Sequence, residues 1–274
     1  MRCAWWLFLI CCWCSPSTAQ EIPVLTYNIR YANAHDRKDS WERRKDALAN
    51  TVLAQEPGII GLQEVLREQL AFLKDRWPAY AHFGVGRDDG RDGGEFAPVF
   101  YDTSRFALLA GNTIWLSPTP DVPSKGWDAT CNRIATLVVL RDRSSGDSLW
   151  VANTHWDAEG KEARQQSALV VCDLLAGPIA RGQRTIFMGD LNAKAREGSI
   201  RYLRDHLADA CPKGRRGRGT FNGFNRWRLF SKRIDYVWLS PGKWEVEGYD
   251  VRHPKVKCRQ VSDHFPVIAR LRPR

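Results

Sequence analysis

Short apolar segments rich in β-branched residues recur along this chain and constrain its fold more than any other feature. Eight of them have the length of a buried strand: residues 22–27, 59–62, 98–101, 135–140, 149–154, 185–188, 234–239 and 265–271. Helical patterns lie between several of them, one beginning after a capping Ser40 and running from Trp41 to Leu53, another over residues 161–175. This mixture predicts a layered α/β or α+β domain.

The first nineteen residues differ in character from the rest. Met1 and Arg2 precede an apolar run over residues 4–13, and Ser17-Thr18-Ala19 follows, which is the pattern of a secretory signal peptide. We expect cleavage near Gln20 and a secreted or periplasmic protein. We expect no stable membrane span, because the run is about a dozen residues and a spanning helix needs about 20.

Residues 20–274 are undivided by any linker, repeat or low-complexity tract, which predicts a single domain, expected to be a monomer. Four of the eight cysteines lie in the leader, and Cys131, Cys172, Cys211 and Cys258 remain. In an oxidising compartment we expect at least one disulfide among them, with three pairings open. Their spacing contains no CxxC, which argues against a zinc cluster.

The formal net charge of +10 favours anionic partners. A phosphorylated sugar or glycan, a lipid head group, a nucleic acid or a free phosphate ester all satisfy this preference. The segment from Lys213 to Trp227 interleaves basic residues with aromatic ones, as nucleic-acid and glycan sites do. We expect it to govern substrate choice, although a solvated loop whose aromatics enter the core fits the same pattern.

Polar side chains stand at the ends of the predicted strands. Asn28, Glu64, His155 and Asp190 each follow a strand, and Asp263-His264 precedes the last one. Such groups can converge on one rim of a sheet. Carboxylate and amide oxygens suit Mg²⁺ or Mn²⁺, and histidines titrate near neutrality. Hydrolysis of a phosphate ester needs a cation, a positioned water and a group that steadies the leaving oxygen.

Six segments, in order, resemble the motifs of the endonuclease/exonuclease/phosphatase superfamily, which includes pancreatic-type deoxyribonucleases, apurinic endonucleases, sphingomyelinases and inositol-polyphosphate phosphatases. They are Thr26-Tyr27-Asn28, Gly61-Leu62-Gln63-Glu64-Val65, Asn153-Thr154-His155, Gly189-Asp190-Leu191-Asn192-Ala193, Arg233-Ile234-Asp235-Tyr236-Val237 and Ser262-Asp263-His264-Phe265-Pro266-Val267. The resemblance implies a four-layer α/β sandwich of two mixed sheets flanked by helices, with the active site at one edge.

The resemblance also implies where a Mg²⁺ or Mn²⁺ ion would bind. Glu64 is similar to the principal metal ligand of the family, and Asn28 and Asp263 would complete or orient the metal shell. Asp190 resembles the group that aligns the attacking water and helps to deprotonate it. Asn192 would hold that water or the phosphate. Asn28 and Asn192 also fit simple turns, which asparagine often forms.

Two histidines are assigned by the same resemblance. His264 is similar to the family histidine that contacts the phosphate, and Asp235 would fix its tautomer. His155 resembles the second histidine, on the other side of the phosphate, with Glu95 as its partner. Arg133 matches a basic residue near the site. A plainer interpretation pairs Asp235 with the nearby Arg233 and makes Glu95 an ordinary loop glutamate and Arg133 an ordinary strand-edge arginine.

We therefore expect a metal-dependent phosphoesterase, above all a phosphodiesterase. A secreted nuclease and a catalytically silent binding module on the same fold are the alternatives. Retention of the acids at positions 64, 190, 235 and 263 argues against the silent module, because such acids repel one another without a metal.

Overall fold

A computed structural model of the chain describes residues 20–213, 219–225 and 232–274. The expected leader at residues 1–19 and much of the basic-aromatic segment lie outside these described residues. The described residues confirm the four-layer α/β sandwich. Two mixed six-stranded sheets pack face to face, and helices cover their outer faces.

The strands are, in chain order, β1 (Ile22–Asn28), β2 (Ile59–Gln63), β3 (Tyr80–Phe83), β4 (Val99–Asp102), β5 (Phe106–Trp115), β6 (Ile134–Asp142), β7 (Ser148–His155), β8 (Arg184–Asp190), β9 (Ala208–Asp209), β10 (Asp235–Leu239), β11 (Trp244–Val251), β12 (Lys255–Val256), β13 (Arg259–Gln260) and β14 (Val267–Pro273). The helices are a 3-10 helix (Ala34–Asp39), α1 (Trp41–Leu53), α2 (Arg67–Arg76), α3 (Lys161–Ala180) and α4 (Gly198–His206).

The strand order is β11-β14-β1-β2-β4-β3 in the first sheet and β5-β6-β7-β8-β10-β9 in the second. Each sheet has one parallel pair near its centre, β1 with β2 and β7 with β8, and antiparallel neighbours outside it. The carboxyl ends of these four strands carry Asn28, Glu64, His155 and Asp190. The topology thus brings side chains that are distant in sequence to a single rim.

Three apolar clusters hold the layers together. The inter-sheet cluster contains Val24 and Ile59 from the first sheet and Val151 and Met188 from the second, all fully buried. A second cluster packs α3 and α4 on the outer face of the second sheet, and a third packs α1 and α2 on that of the first. Burial of apolar area stabilises such layers at about 25 cal/mol per Å².

Asn153 in β7 links the two sheets through the inter-sheet core. Its Nδ2 donates to the carbonyl oxygens of Leu62 at 2.8 Å and Pro98 at 3.0 Å, and its Oδ1 accepts from Gln63 Nε2 at 2.7 Å. Both side chains are fully buried. Because a buried polar group without a partner is costly, these bonds fix how the sheets sit on one another just behind the rim.

All eight predicted strands are present, and α1 and α3 occupy the predicted helical segments, with α3 extending to Ala180. The sequence patterns missed strands β3, β5, β9, β11, β12 and β13 and helices α2 and α4. Most of these lie at sheet edges or on the surface. The middle of β5, for example, is exposed, so its residues do not form a buried apolar run.

The predicted disulfide is wrong, because all four described cysteines are free. Cys172 lies on α3 in the outer layer of the second sheet, and Cys211 lies in the inter-sheet core. Cys131 precedes β6, and Cys258 is exposed between β12 and β13. The four thiols lie in four different parts of the fold, and no disulfide joins them. Burial raises the pKa of the Cys172 thiol to about 12, which makes it unreactive.

Within residues 20–213, 219–225 and 232–274, none of the helices has both the length and the apolar character that crossing a bilayer requires.

Candidate active site

Asp190, at the end of β8, lies at the centre of the polar rim and is 1% exposed. Its Oδ2 accepts a hydrogen bond from Asn28 Nδ2 at 3.0 Å. The same oxygen lies 3.5 Å from His155 Nε2 and 3.6 Å from His264 Nε2. One carboxylate oxygen thus faces an amide from the first sheet and both histidine rings, which is a position that a general base can occupy.

Strand register explains part of this convergence. Asp190 is the direct neighbour of His155 in the parallel pair β7–β8 and of Asp235 in the antiparallel pair β8–β10. These three side chains therefore form one row across the second sheet. The backbone N–H of Asn192 donates to Asp190 Oδ1 at 3.0 Å, and Asn192 itself has φ +47°, a conformation that costs energy in a residue other than glycine.

Glu64, directly after β2, brings a second, mostly buried carboxylate to the rim, with its side chain 12% exposed. Its Oε1 accepts from Asn28 Nδ2 at 3.0 Å and its Oε2 from the Tyr31 N–H at 3.1 Å. Burial raises the pKa of Glu64; His155 opposes this, and the charge of Asp263 adds to it. Glu64 also has φ +60°, so backbone strain is stored at this position. A nearby cation would relieve the carboxylate repulsion.

Asp263, the third predicted metal ligand, lies between β13 and β14 and is 8% exposed. Ser262 Oγ donates to the Asn28 carbonyl at 2.8 Å and makes a longer contact of 3.3 Å with Asp263 Oδ1. The Asp263 carbonyl accepts from the N–H groups of Asn222 and Gly223. The structure therefore brings Asn28, Glu64 and Asp263 to the same part of the rim.

His264 and Asp235 form a buried pair. His264 Nδ1 lies 3.0 and 3.1 Å from the two oxygens of Asp235, and Phe221 packs edge-on against the imidazole with ring centroids 5.0 Å apart. Burial disfavours the charged imidazole, but Asp235 and Asp190, one at each ring nitrogen, outweigh it and raise the pKa of His264 well above its usual range. Arg233 pairs instead with Asp209, at 2.6 and 2.8 Å, so the alternative pairing with Asp235 is wrong.

His155 is bounded by Asn192 on one side and Glu95 on the other. Asn192 Nδ2 lies 3.1 Å from His155 Nε2, and Glu95 Oε2 lies 3.7 Å from Nδ1. Burial raises the pKa of Glu95, but His155, Arg87 and Arg133 outweigh it, so the net pKa is lowered and the carboxylate stays charged.

Arg133 lies directly before β6. Its Nε donates to Asp157 Oδ2 at 3.2 Å, and no hydrogen bond from Arg133 to another predicted site residue is present among the described residues. It acts on the site through its charge, which lowers the pKa of Glu95. The structure thus brings together all ten predicted site residues, with Arg133 at the margin.

Asp190, Asp235 and His264 also lie close enough, within 4.8 Å, to hold a metal ion. His264 Nδ1 is already engaged by Asp235, and both residues are almost fully buried. These contacts are those of a hydrogen-bonded relay. The oxygens of Asn28, Glu64 and Asp263 accept hydrogen bonds from backbone, amide or hydroxyl groups rather than from a histidine, and an all-oxygen set of this kind suits a hard cation better.

Three charged residues whose side chains contact the site were not singled out by the sequence. Arg87 donates to Glu95, Asp157 binds Arg133, and Arg30 lies 3.9 Å from Glu64 Oε2. All three are charged and lie in loops or directly after a strand end, where charged residues are common. These three residues are recognised as part of the site only by their side-chain partners, which a single sequence does not reveal.

The family model described as the Endonuclease/Exonuclease/phosphatase family matches residues 25–264. The chain belongs to this family. The site described above is therefore built from the segments that carry the family's motifs, and the fold and the family inferred from the sequence are both confirmed.

Solved structures of similar length share the fold. A family member from Bacteroides vulgatus is 33% identical, with a TM-score of 0.86, and the match covers 93% of this chain and 100% of that one. A mannosyl-6-phosphatase from Bacteroides thetaiotaomicron is 34% identical, with a TM-score of 0.82 and coverage of 91% and 99%.

A curated relative is much longer than this chain. The CCR4-Not complex 3'-5'-exoribonuclease subunit Ccr4 of Emericella nidulans is 30% identical over 180 residues, which are 54% of this chain and 26% of that protein. The chain thus spans about a quarter of the length of this relative.

Proposed function

We propose that this chain is an exported, divalent-metal-dependent phosphoesterase that hydrolyses a P–O bond by attack of water. The observation that carries the proposal is the position of Asp190, whose Oδ2 accepts from Asn28 and faces the Nε2 atoms of both histidines. A buried carboxylate placed between an amide and two imidazoles can orient a water molecule and take its proton.

The donor set fits Mg²⁺ or Mn²⁺. Glu64, Asn28 and Asp263 offer oxygen ligands on one part of the rim, and the raised pKa of Glu64 reflects burial and nearby negative charge that a cation would offset. When bound there, the cation supplies charge neutralisation and polarisation of the phosphoryl oxygens. Tyr31 and Asn28 hold the Glu64 carboxylate in place for it.

In this proposal the two histidines lie on opposite sides of the substrate phosphate. His264, kept charged by Asp235 and Asp190, presents an imidazolium that stabilises a phosphoryl oxygen. His155 stands on the opposite side of Asp190, with Asn192 beside it to hold the water or the phosphate. Because these groups are held by bonds made within the protein, they need little rearrangement during the reaction.

Similarity over most of the fold supports one substrate class. Likeness to a mannosyl-6-phosphatase over 91% of this chain supports a phosphorylated sugar or glycan, and the net charge of +10 suits such an anion. The phosphodiester expected from the sequence is the competing substrate type. Likeness to an exoribonuclease subunit supports a nuclease as the second candidate, over about half of the chain.

Export is proposed from residues 1–19 alone, whose charged start, apolar run and small residues are typical of a secretory leader. Expression of the full chain in a bacterial host, followed by N-terminal mass analysis of the periplasmic fraction, tests it. We expect a first residue near Gln20. Full-length protein found only in the cytosol would contradict export without affecting the proposed activity.

The activity is tested by incubating purified protein with Mg²⁺, Mn²⁺ or EDTA and four substrates: mannose 6-phosphate, a chromogenic phosphodiester, plasmid DNA and an oligoribonucleotide. We expect metal-dependent release of phosphate from the sugar phosphate. An Asp190→Asn variant controls for contaminating hydrolases, because it keeps the shape of the side chain. Turnover of none of the four, in a protein that still binds metal, would favour the silent binding module.

A further inference from the structure

We propose that Arg87 is a positioning residue: it holds Glu95 against His155 and so keeps His155 as the tautomer with its proton on Nδ1, while Nε2 accepts a hydrogen bond from Asn192. The kinetic part of this proposal rests on the proposed phosphoesterase function. The tautomer itself is a property of the folded protein and can be measured without any substrate.

The tautomer follows from the orientation of the Asn192 amide. Asn192 Nδ2 donates to the Trp156 carbonyl at 3.0 Å, and a carbonyl oxygen only accepts, so this contact fixes which end of the amide is the NH₂ group. The same NH₂ group lies 3.1 Å from His155 Nε2. Nε2 must therefore act as the acceptor, and the proton of a neutral His155 ring must lie on Nδ1.

His155 Nδ1 is buried and makes no hydrogen bond within the described residues. The acceptor nearest to it in the ion pairs of the site is Glu95 Oε2, at 3.7 Å, which is beyond hydrogen-bond distance but close enough for strong electrostatic attraction. The Nδ1–H tautomer is therefore stable only while the Glu95 carboxylate remains in this position.

Arg87 determines that position. Its Nη1 donates to Glu95 Oε2 at 2.8 Å, the same oxygen that His155 faces. Both side chains are 16% exposed, so this charged pair is largely shielded from water. In the described residues no other hydrogen bond to the Glu95 carboxylate is present. Without Arg87 the carboxylate would be free to turn towards solvent.

Arg87 is itself firmly held. Its backbone N–H donates to the Glu95 carbonyl at 3.1 Å, and its own carbonyl accepts from Trp115 Nε1 at 2.7 Å and Asn132 Nδ2 at 3.2 Å. Trp115 ends β5, and Asn132 lies just before β6. The backbone of Arg87 is thus anchored to the edge of the second sheet, as that of a residue that positions another side chain needs to be.

The experiment compares wild-type protein with Arg87→Gln, Arg87→Lys, Glu95→Gln and the double variant Arg87→Gln/Glu95→Gln. Arg91→Gln is the matched control, because Arg91 is an exposed arginine on the same loop. Nitrogen-15 NMR of histidine-labelled protein at about pH 8.5, some two units above the ordinary histidine pKa of about 6.5, reports the tautomer of His155. Steady-state kinetics report kcat and KM separately.

We expect the Nδ1–H tautomer for His155 in the wild type, and a mixture or the Nε2–H form in Arg87→Gln. We expect Arg87→Gln to lower kcat about 10- to 100-fold, as small displacements at an active site do, with KM changed less than about threefold. The double variant should be no worse than the poorer single variant, because both changes act through His155. Arg87→Lys, which keeps a donor, should retain more activity than Arg87→Gln.

Three results would overturn the proposal: an Nε2–H tautomer in the wild type, an Arg87→Gln protein with unchanged tautomer and kcat, or a rise in KM that multiplies with that of Glu95→Gln. The last result would make Arg87 a substrate-binding residue. Should Arg87→Gln fail to fold, Arg87→Lys and Glu95→Gln still decide the tautomer. If the wild type hydrolyses no phosphate ester, the proposed function fails and the NMR result alone decides this proposal.

Discussion

Asn28 in the first sheet donates a hydrogen bond to Asp190 in the second, over 3.0 Å, and the same NH₂ group donates to Glu64. The Asn28 amide therefore connects Glu64, the expected metal ligand, with Asp190, the expected base, across the boundary between the two sheets. A change in the charge of Glu64 therefore alters the hydrogen bonding and the electrostatic potential at Asp190.

Replacement of Glu64 by alanine should remove activity while the protein remains folded. We expect kcat to fall about 100- to 1,000-fold or more, because a principal charge-stabilising group is lost. Added Mn²⁺ should raise the melting temperature of the wild type but not that of Glu64→Ala, since the ion stabilises the native state only where it binds to it. Full activity of Glu64→Ala in EDTA would refute the metal-dependent mechanism.

His264 and Asp235 should act as one unit. Each alanine variant is expected to lose about 100-fold or more in kcat, because the charged imidazole requires its buried carboxylate partner. The double variant should be little worse than the poorer single variant. The measurement is a double-mutant cycle on kcat at one metal concentration. Defects that simply multiply would show that the two residues act independently.

Asn153→Ala should destabilise the fold by about 2–4 kcal/mol. The change removes the side-chain donor of the Leu62 and Pro98 carbonyls and one of the acceptors of Gln63 Nε2, all in a fully buried place. Urea denaturation followed by tryptophan fluorescence measures the free energy of unfolding. Asn112→Ala, at an exposed position in β5, is the control and should cost less than about 0.5 kcal/mol. Equal losses in both variants would contradict the role of Asn153.

Asp157 should contribute stability that disappears in acid. Burial raises the pKa of Asp157, but hydrogen bonds from Gly160, Thr130 and Glu159 outweigh it, so the pKa in the folded protein lies well below the unfolded value of about 3.9. This stabilisation is fully present above the unfolded pKa and is lost as the pH falls through the folded pKa. Asp157→Asn should therefore cost most at neutral pH.

The check is urea denaturation of wild type and Asp157→Asn at several pH values between about 7 and 3. The difference in the free energy of unfolding should remain constant at the upper end and shrink below about pH 4. A difference that grows on acidification would show that the carboxylate is not held in its charged form.

The sequence alone predicted the layered architecture and the positions of the central carboxylates along the chain. Strands that run through the core carry uninterrupted apolar runs, and Glu64 and Asp190 interrupt the apolar pattern directly after such runs. The edge strand β5 was missed because most of its residues face solvent. Patterns of this kind depend on burial, so they detect the core and miss the edges.

The contacts around the site were less predictable. Arg87 and Asp157 matter through the partners they meet in space, and those partners come from other loops. The disulfide expectation failed for the same reason, because spacing along the chain does not tell which layer a cysteine occupies. Cys172 and Cys211 lie on opposite faces of the second sheet.

The last strand, β14, lies between β1 and β11 in the first sheet, so the site can be complete only after this strand has docked. Asn28 and His264 are separated by more than two hundred positions, and the strand that follows His264 must dock before the first sheet is continuous. Contacts of such long sequence separation form slowly and late in folding. A partly folded chain therefore has no hydrolytic capacity, and recovery of activity after dilution from denaturant should coincide with the slowest structural phase.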